Sequence, residues 1–267
     1  MVLGEARSSL RLRILSALVL APLPLVAIWL GGPFLKILTV GAAGVMAWEW
    51  SRLCGGGSAL IGVVALAVAA AAAAGAWVGA PLALIGALAV WAVESQRQGG
   101  SPGWMAAGCL WVAFPCILLL WLAKSETAGR VILLWIFAIV WATDIGAYAV
   151  GRLLGGPRLA PRWSPRKTWA GLLGGIVCAA IAGWVVARMF GASPVLPLVL
   201  VSAGLAIVEQ FGDLAESVAK RRFGVKDASS LIPGHGGLLD RLDGLLAVIP
   251  VVALLSWIGG GNVLTWR

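Results

Sequence analysis

Charged residues are scarce in this chain, and their scarcity excludes most soluble protein classes. Only 12% of its 267 residues are charged, whereas 61% are hydrophobic. A typical soluble domain carries roughly 25% charged residues. Histidine occurs once, and the four cysteines show no spacing typical of a metal site. The composition therefore indicates an integral membrane protein that has no cysteine-based metal centre.

Apolar runs of membrane-spanning length fill most of the chain. They are continuous rather than alternating, and a segment inside a bilayer must satisfy its own backbone hydrogen bonds, so helices are expected. The sequence predicts an all-α, polytopic membrane protein of about nine transmembrane helices. The runs cover residues 14–30, 34–50, 59–78, 80–93, 104–123, 131–150 and 169–190, an eighth that begins near residue 195, and 242–258.

The distribution of Lys and Arg predicts the orientation. With the N-terminus inside and the C-terminus outside, fifteen of the twenty basic residues lie on the cytoplasmic side, as the positive-inside rule requires. The polar stretches 151–168 and 209–241 then face the cytoplasm. The chain divides into N-terminal helices at 1–130, which hold spans one to five, and a catalytic membrane region at 131–267. The net charge of +9 lies in short loops, which favours lipid or nucleotide phosphates over nucleic acid.

Six of the eleven acidic residues lie between residues 209 and 243. Asp213 lies near the inner end of a span, where a carboxylate is costly unless it faces a cation, a substrate or an ion-pair partner such as Lys220. Asp240 and Asp243 are three residues apart and share a helix face, where one of them could simply cap the helix. With Asp213 they would form the kind of oxygen-ligand site that magnesium prefers.

Other segments carry side chains suited to phosphate chemistry. The Gly-rich loop around His235 offers backbone N–H groups to a ligand, or is a plain loop with a hydrogen-bonded histidine. Asp144 lies within an apolar run and is a functional-site candidate, with pairing to Arg152 as the alternative. The segment SPRKTW at 164–169 either binds phosphate oxygens or anchors the loop at the membrane.

The residues from 217 to 243 closely resemble the signature of the phosphatidate cytidylyltransferase (CDP-diacylglycerol synthase) family. Residues 144–152 and the SPRKTW segment are similar to the same family. Two positions depart from its pattern, since Ala219 replaces a larger aliphatic residue and Ala170 replaces a glutamate. The matching signature residues are Ser217, Lys220, Arg221, Lys226, Asp227, Ser229, Ile232, Pro233, His235, Gly236, Gly237, Leu238, Asp240, Arg241, Leu242 and Asp243.

The resemblance implies that CTP and phosphatidate react to give CDP-diacylglycerol and pyrophosphate, with one or two magnesium ions as cofactor. The metal ligands it implies are Asp213 and Asp240, supported by Asp243 and Asp144. The other catalytic residues it implies are Lys220, Arg221, Lys226, Asp227, His235 and Arg241. The residues it implies for nucleotide binding are Asp144, Ser164, Arg166, Lys167, Thr168, Gly236 and Gly237. It also implies a homodimer, and the compact chain suggests a bacterial inner membrane with the active site facing the cytoplasm.

Two other functions compete with this interpretation. A CTP-dependent polyprenol or lipid kinase shares a distant resemblance, but it would release CDP instead of pyrophosphate. A membrane transporter would use Asp144 and Asp213 as an ion path, and inverted repeats would favour it. The charges instead concentrate in the second half of the chain, at one predicted membrane face. The cytidylyltransferase interpretation is therefore preferred.

Overall fold

The computed structural model describes residues 16, 18, 20–97 and 101–260, without the side chain of Glu126. Several sequence predictions fall partly or wholly outside these residues. They are the basic N-terminal segment, the start of the first span at residue 14, the middle of the polar connection between the fourth and fifth spans, and the outward position of Arg267.

Helices dominate the described residues. Within them, the helices are α1 (Pro22–Leu30), α2 (Gly32–Leu53), α3 (Ala59–Ala74), α4 (Ala76–Ser95), α5 (Pro102–Leu122), α6 (Glu126–Leu154), α7 (Trp169–Met189), α8 (Leu196–Arg222) and α9 (Leu239–Ile258). In this part of the chain, the six helices from α4 to α9 are long and apolar enough to cross a membrane, and α3 is a shorter apolar helix. The chain is an all-α, multi-pass membrane protein, as predicted, while the count of nine spans stays a prediction.

The boundary between α3 and α4 differs from the predicted one. The apolar run 59–78 is interrupted at Gly75, whose φ of 102° lies in the left-handed region that glycine tolerates at little cost. The helix α3 therefore ends at Ala74, and α4 takes up the residues that follow. The predicted span 80–93 looked short, but α4 has 20 residues and a length of about 30 Å, which suits a bilayer core.

The polar stretch 151–168 contains a small antiparallel hairpin rather than a plain loop. Its strands are β1 (Arg158–Ala160) and β2 (Ser164–Thr168), and the register pairs Arg158 with Thr168 and Ala160 with Ser164. The Thr168 Oγ1 accepts a hydrogen bond of 3.0 Å from the Gly171 N–H and caps the start of α7. The hairpin thus leads directly into a membrane helix.

The chain forms two compact units. The first consists of Met1–Trp121 and Arg222–Leu242, and the second of Leu122–Arg221 and Asp243–Arg267. In the first, α2, α3 and α4 pack in sequence around a buried core that includes Met46, Leu60 and Met105. In the second, α6 packs closely along α7. A Cβ added to Gly174 would lie 2.5 Å from the Val150 Cβ, so small residues are required at this contact.

Candidate functional site

In the second unit, the hairpin places a lysine against the acidic end of α8. The Nζ atom of Lys167 on β2 lies 2.6 Å from the Asp213 Oδ2 and donates a hydrogen bond of 2.9 Å to the Gln210 Oε1. Gln210 in turn donates to the Glu209 Oε2 at 2.8 Å. Because α8 presents residues 209, 210 and 213 over one turn, the lysine is held by a continuous polar network.

The second unit also gathers most of the predicted acidic residues. The Glu209 carboxylate interacts electrostatically with Asp144 on α6. On α9, Asp243 interacts with Asp213 and with the buried Glu216. Lys220 is largely buried and lies 3.4 Å from Glu216, one turn away on α8. Lys220, one possible ion-pair partner of Asp213 in the sequence analysis, therefore pairs with Glu216, and Asp213 forms its ion pair with Lys167.

Two glycines allow these carboxylates to approach one another. A Cβ added to Gly212 on α8 would lie 2.5 Å from the Ala247 Cβ and 2.9 Å from the Asp243 carbonyl oxygen. A Cβ added to Gly244 on α9 would lie 2.7 Å from the Glu209 Cγ. Without side chains at these positions, the backbone of α8 at Gly212 comes into close contact with the first turns of the 243–258 segment of α9. This close packing brings Asp243 next to the acidic face of α8.

In the first unit, Asp240 organises the segment between α8 and α9, residues 223–238, which we call the signature loop. The Asp240 Oδ2 accepts hydrogen bonds from the Ala228 N–H at 2.9 Å and from the Gly237 N–H at 2.8 Å. The carboxylate therefore ties the beginning of the signature loop to its end. This contact resembles the capping role that was one of the two interpretations of this residue.

His235 lies at the tip of a tight turn in the signature loop. The Ile232 N–H donates to the Gly236 carbonyl oxygen at 2.8 Å, and Gly236 adopts a φ of 83°. The His235 Nδ1 lies 2.7 Å from the Ser16 Oγ, and its carbonyl oxygen accepts a bond of 3.0 Å from the Arg241 Nε. Both Arg241 and His235 thus take part in holding the turn.

The remaining predicted residues are mostly on the surface of their units. Lys226 and Asp227 are exposed in the signature loop, and Arg166 is exposed on the hairpin, where each can meet a substrate. Arg221 is exposed and its Nε donates to the Trp163 carbonyl oxygen at 3.4 Å. Thr168 is buried and serves as the helix cap described above.

Sequence reasoning missed Glu49, a fully buried carboxylate on α2. Its Oε1 accepts from the Ser229 Oγ at 2.6 Å and from the Leu238 N–H at 2.9 Å, and its Oε2 accepts from the Leu239 N–H at 2.7 Å. Glu49 therefore joins α2 to the signature loop and to the first residue of α9. The available signal was an acidic residue inside the apolar run 34–50, the same signal that singled out Asp144.

The donor set suits a hard divalent cation. In the second unit, carboxylates outnumber the two lysines that meet them, and buried carboxylates need compensating positive charge. Among the described residues, no group of three or more acidic, histidine or cysteine side chains forms a ready metal cage. Magnesium needs only one or two carboxylates when substrate phosphates and water complete its shell. The residues fit magnesium. It stays a prediction that Asp240 and Asp213 share one cation.

Comparison with known proteins gives matches over nearly the whole chain. Residues 11–258 match the model of a family described as the cytidylyltransferase family. A protein of Brucella suis named phosphatidate cytidylyltransferase is 38% identical over 268 residues, which cover 93% of this chain and 94% of the relative. A protein of Pseudomonas aeruginosa with the same name is 37% identical over 269 residues, covering 94% of this chain and 98% of the relative.

Proposed function

This chain belongs to the cytidylyltransferase family, and we propose that it transfers the cytidylyl group of CTP to phosphatidate, giving CDP-diacylglycerol and pyrophosphate. The observation that carries the proposal is the near full-length similarity to relatives named phosphatidate cytidylyltransferase. The resemblance of residues 217–243 to that family's signature agrees with it.

The chemistry requires positioning more than covalent help. An oxygen of the phosphatidate phosphate attacks the α-phosphorus of CTP, and the bond from that phosphorus to the oxygen bridging to the β-phosphorus breaks, so pyrophosphate leaves. The attacking group is already an anion and needs no general base. The protein must hold two polyanions together, neutralise their repulsion and stabilise the leaving group.

Basic side chains of the second unit are suited to holding these phosphates. Arg166 is exposed on the hairpin, while Lys167 is oriented by Asp213 and Gln210. A guanidinium binds phosphate oxygens with two parallel hydrogen bonds, whereas an ammonium acts as a point charge. We assign Arg166 and Lys167 to the phosphates of CTP. We assign Lys220 and Arg221, at the end of α8, to whichever phosphate group of CTP or phosphatidate lies nearest that helix.

The signature loop contributes a second set of groups. Lys226 and Asp227 are exposed, and the turn at His235 has glycines on both sides that let a ligand approach the backbone. Asp240 holds this loop through two backbone N–H groups. In the proposed enzyme, the loop shapes the phosphate site, and Asp240 supplies a carboxylate that would help to hold magnesium beside it.

Magnesium is part of the proposal. Asp213, Asp243, Asp144 and Asp240 are the residues that would hold it, and when bound the ion would neutralise the phosphate charge and the departing pyrophosphate. The protein residues do the rest, since they bind the substrates, orient them and hold the lysines beside their carboxylate partners.

The membrane arrangement belongs to the same proposal. Nine spans with the N-terminus inside and the C-terminus outside would place the hairpin and the signature loop on the cytoplasmic side, where CTP is present. The bacterial relatives and the apolar helices support a multi-pass protein of the bacterial inner membrane. A homodimer is proposed from the family resemblance.

A turnover assay tests the function. Purified protein with magnesium, phosphatidate in detergent micelles and CTP labelled in the cytosine should yield a labelled lipid and an equal amount of pyrophosphate. Labelled free CDP together with a phosphorylated lipid would identify a lipid kinase instead. Absence of both products from protein that is folded and monodisperse would contradict the proposal and favour the transporter.

A further inference from the structure

A cavity of about 370 Å³ lies in the first unit, between the last turns of α2 and the signature loop. Trp48 and Arg52 line it from α2, and Ser229 and Ser230 line it from the loop. None of the four residues is part of the catalytic or nucleotide-binding sets predicted from the sequence. The cavity nevertheless borders the segment that carries the family signature.

Arg52 gives the cavity a positive charge and a defined geometry. Its guanidinium carbon lies 5.1 Å from the centre of the Trp48 ring, and the side chain is exposed. A guanidinium over an indole face is attracted by the ring, which restrains the side chain while its N–H groups stay available to a ligand. Among the described residues that line the cavity, Arg52 is the one charged side chain and no acid accompanies it.

The opposite wall is held in place by Glu49. The Ser229 Oγ donates to the Glu49 Oε1 at 2.6 Å and accepts from the Leu231 N–H at 3.1 Å, which fixes the loop against α2. Glu49 precedes Arg52 by three residues, yet it is buried and its two oxygens accept three hydrogen bonds. The Glu49 carboxylate therefore forms its hydrogen bonds with the signature loop and the start of α9.

The neighbouring thiol adds no competing chemistry. Cys54 follows the cavity wall in sequence, and burial raises the pKa of its thiol to about 12. It stays neutral at physiological pH and offers neither a nucleophile nor a second anion. A basic, hydroxyl-bearing cavity without an acid remains.

We propose that this cavity binds a phosphate group of a substrate and that Arg52 is its direct ligand. A guanidinium placed over the indole ring can donate two parallel hydrogen bonds to phosphate oxygens, and the Ser230 hydroxyl can donate a further bond. The inference rests on the proposed function, because that reaction brings phosphate groups to the signature loop from two sources. Both CTP and phosphatidate carry a phosphate group, and the KM for each substrate shows which of the two the cavity binds.

The test is a steady-state and binding comparison of wild type with Arg52→Ala and Arg52→Lys. Removing a charged bidentate contact should raise the KM for one substrate about tenfold or more while kcat changes much less. Arg52→Lys keeps the charge but loses the planar fork, so it should give a smaller rise in the same KM. Arg188→Ala, which removes an exposed arginine at the end of α7, is the matched control and should leave both KM values unchanged.

Each outcome has a defined meaning. A raised KM for CTP alone, matched by weaker equilibrium binding of labelled CTP, assigns the cavity to a nucleotide phosphate, and a raised KM for phosphatidate alone assigns it to the lipid phosphate. Unchanged KM values for both substrates, or a loss of kcat alone, overturn the inference. If Arg52→Ala aggregates, the KM values of Arg52→Lys decide in the same way.

The inference can fail separately from the proposed function. Wild-type turnover with unaltered kinetics in the Arg52 variants contradicts the cavity assignment alone. Wild-type protein that makes no CDP-diacylglycerol contradicts the proposed function, whatever the variants bind.

Discussion

Around the signature loop, two carboxylates receive most of the side-chain hydrogen bonds that hold the backbone. Asp240 accepts two backbone N–H groups through one oxygen, and Glu49 accepts two more together with a serine hydroxyl. The two side chains differ in how much charge remains available. Asp240 is partly exposed, so its negative charge can act on a ligand, whereas Glu49 is buried at 0% exposure.

The change Asp240→Asn separates the charge of this side chain from its role in the loop. The amide keeps a carbonyl oxygen that can accept both N–H groups, but it removes the negative charge. We expect CTP turnover to fall by about 100-fold or more, because the lost charge would weaken the hold on the proposed magnesium, and electrostatic stabilisation at a reacting phosphate contributes on that scale. The melting temperature should change little. Near-normal turnover would show that Asp240 acts only by holding the loop.

Glu49→Ala should reduce both stability and catalysis. It leaves two backbone N–H groups without their acceptor, and each lost partner costs about 1–3 kcal/mol when buried. The signature loop would also lose its attachment to α2. We expect a lower melting temperature and a lower kcat, measured at a temperature where the variant remains folded.

Glu94→Ala is the matched control for that variant. Glu94 is also buried in the first unit, where it accepts from the Gly57 N–H at 3.0 Å and pairs with Arg97. Its contacts lie away from the signature loop. The control should lower the melting temperature while the folded enzyme keeps its kcat. An equal loss of kcat in both variants would contradict a specific role for Glu49.

At the scale of elements, the approach of α8 to α9 depends on Gly212, because an added methyl group at this position would have no room. Gly212→Ala would push the new Cβ against the Asp243 carbonyl oxygen and the Ala247 side chain. Overpacking of this kind costs about 1–3 kcal/mol. It should also displace Asp243 from Asp213, so we expect a lower melting temperature and a reduced turnover.

Gly204→Ala on the same helix is the comparison. Its added methyl would meet no heavy atom of the described residues within 4 Å. Alanine is favoured over glycine in a helix by about 1 kcal/mol, so this variant should be at least as stable as wild type and fully active. The test is thermal unfolding in detergent and turnover of both variants. Equal melting temperatures and equal turnover would show that the close contact at Gly212 is not important.

The hairpin is the element that sequence reasoning described least well. The segment SPRKTW was expected to be a basic loop, yet its first five residues form a strand paired with Arg158–Ala160, and Trp169 begins α7. Proline at 165 and the short length weakened any strand signal in the sequence. Alternation along the strand places Arg166 and Lys167 on opposite sides, so that Arg166 is exposed while Lys167 meets α8. Thr168 is buried because it caps the start of α7.

For the whole molecule, the predicted orientation can be measured directly. Alkaline phosphatase fused after residue 260 should be active, because the enzyme folds only outside the cytoplasm and the C-terminus is expected there. Green fluorescent protein inserted at residues 155–156, before the hairpin, should fluoresce, because this side is expected to be cytoplasmic. An inactive phosphatase fusion at normal expression would reverse the topology and place the hairpin on the outer face.

The sequence by itself determined the class of molecule and the identity of its reactive segments. Hydropathy adds up along the chain, so membrane helices follow from composition over windows of about 20 residues, without knowledge of packing. The signature from Ser217 to Asp243 is local in the same sense, because its residues are recognised from their spacing alone. These are properties of neighbours in the chain.

Only the tertiary structure decided how those segments are held. Glu49 meets Ser229 across 180 positions of sequence, and Lys167 meets Gln210 across 43. Such contacts depend on which helices pack together and how closely, which is set by glycines such as Gly212 and by side-chain volume rather than by any local pattern. The same reason hid the Arg52 cavity, whose walls are brought together only when the signature loop folds back onto α2.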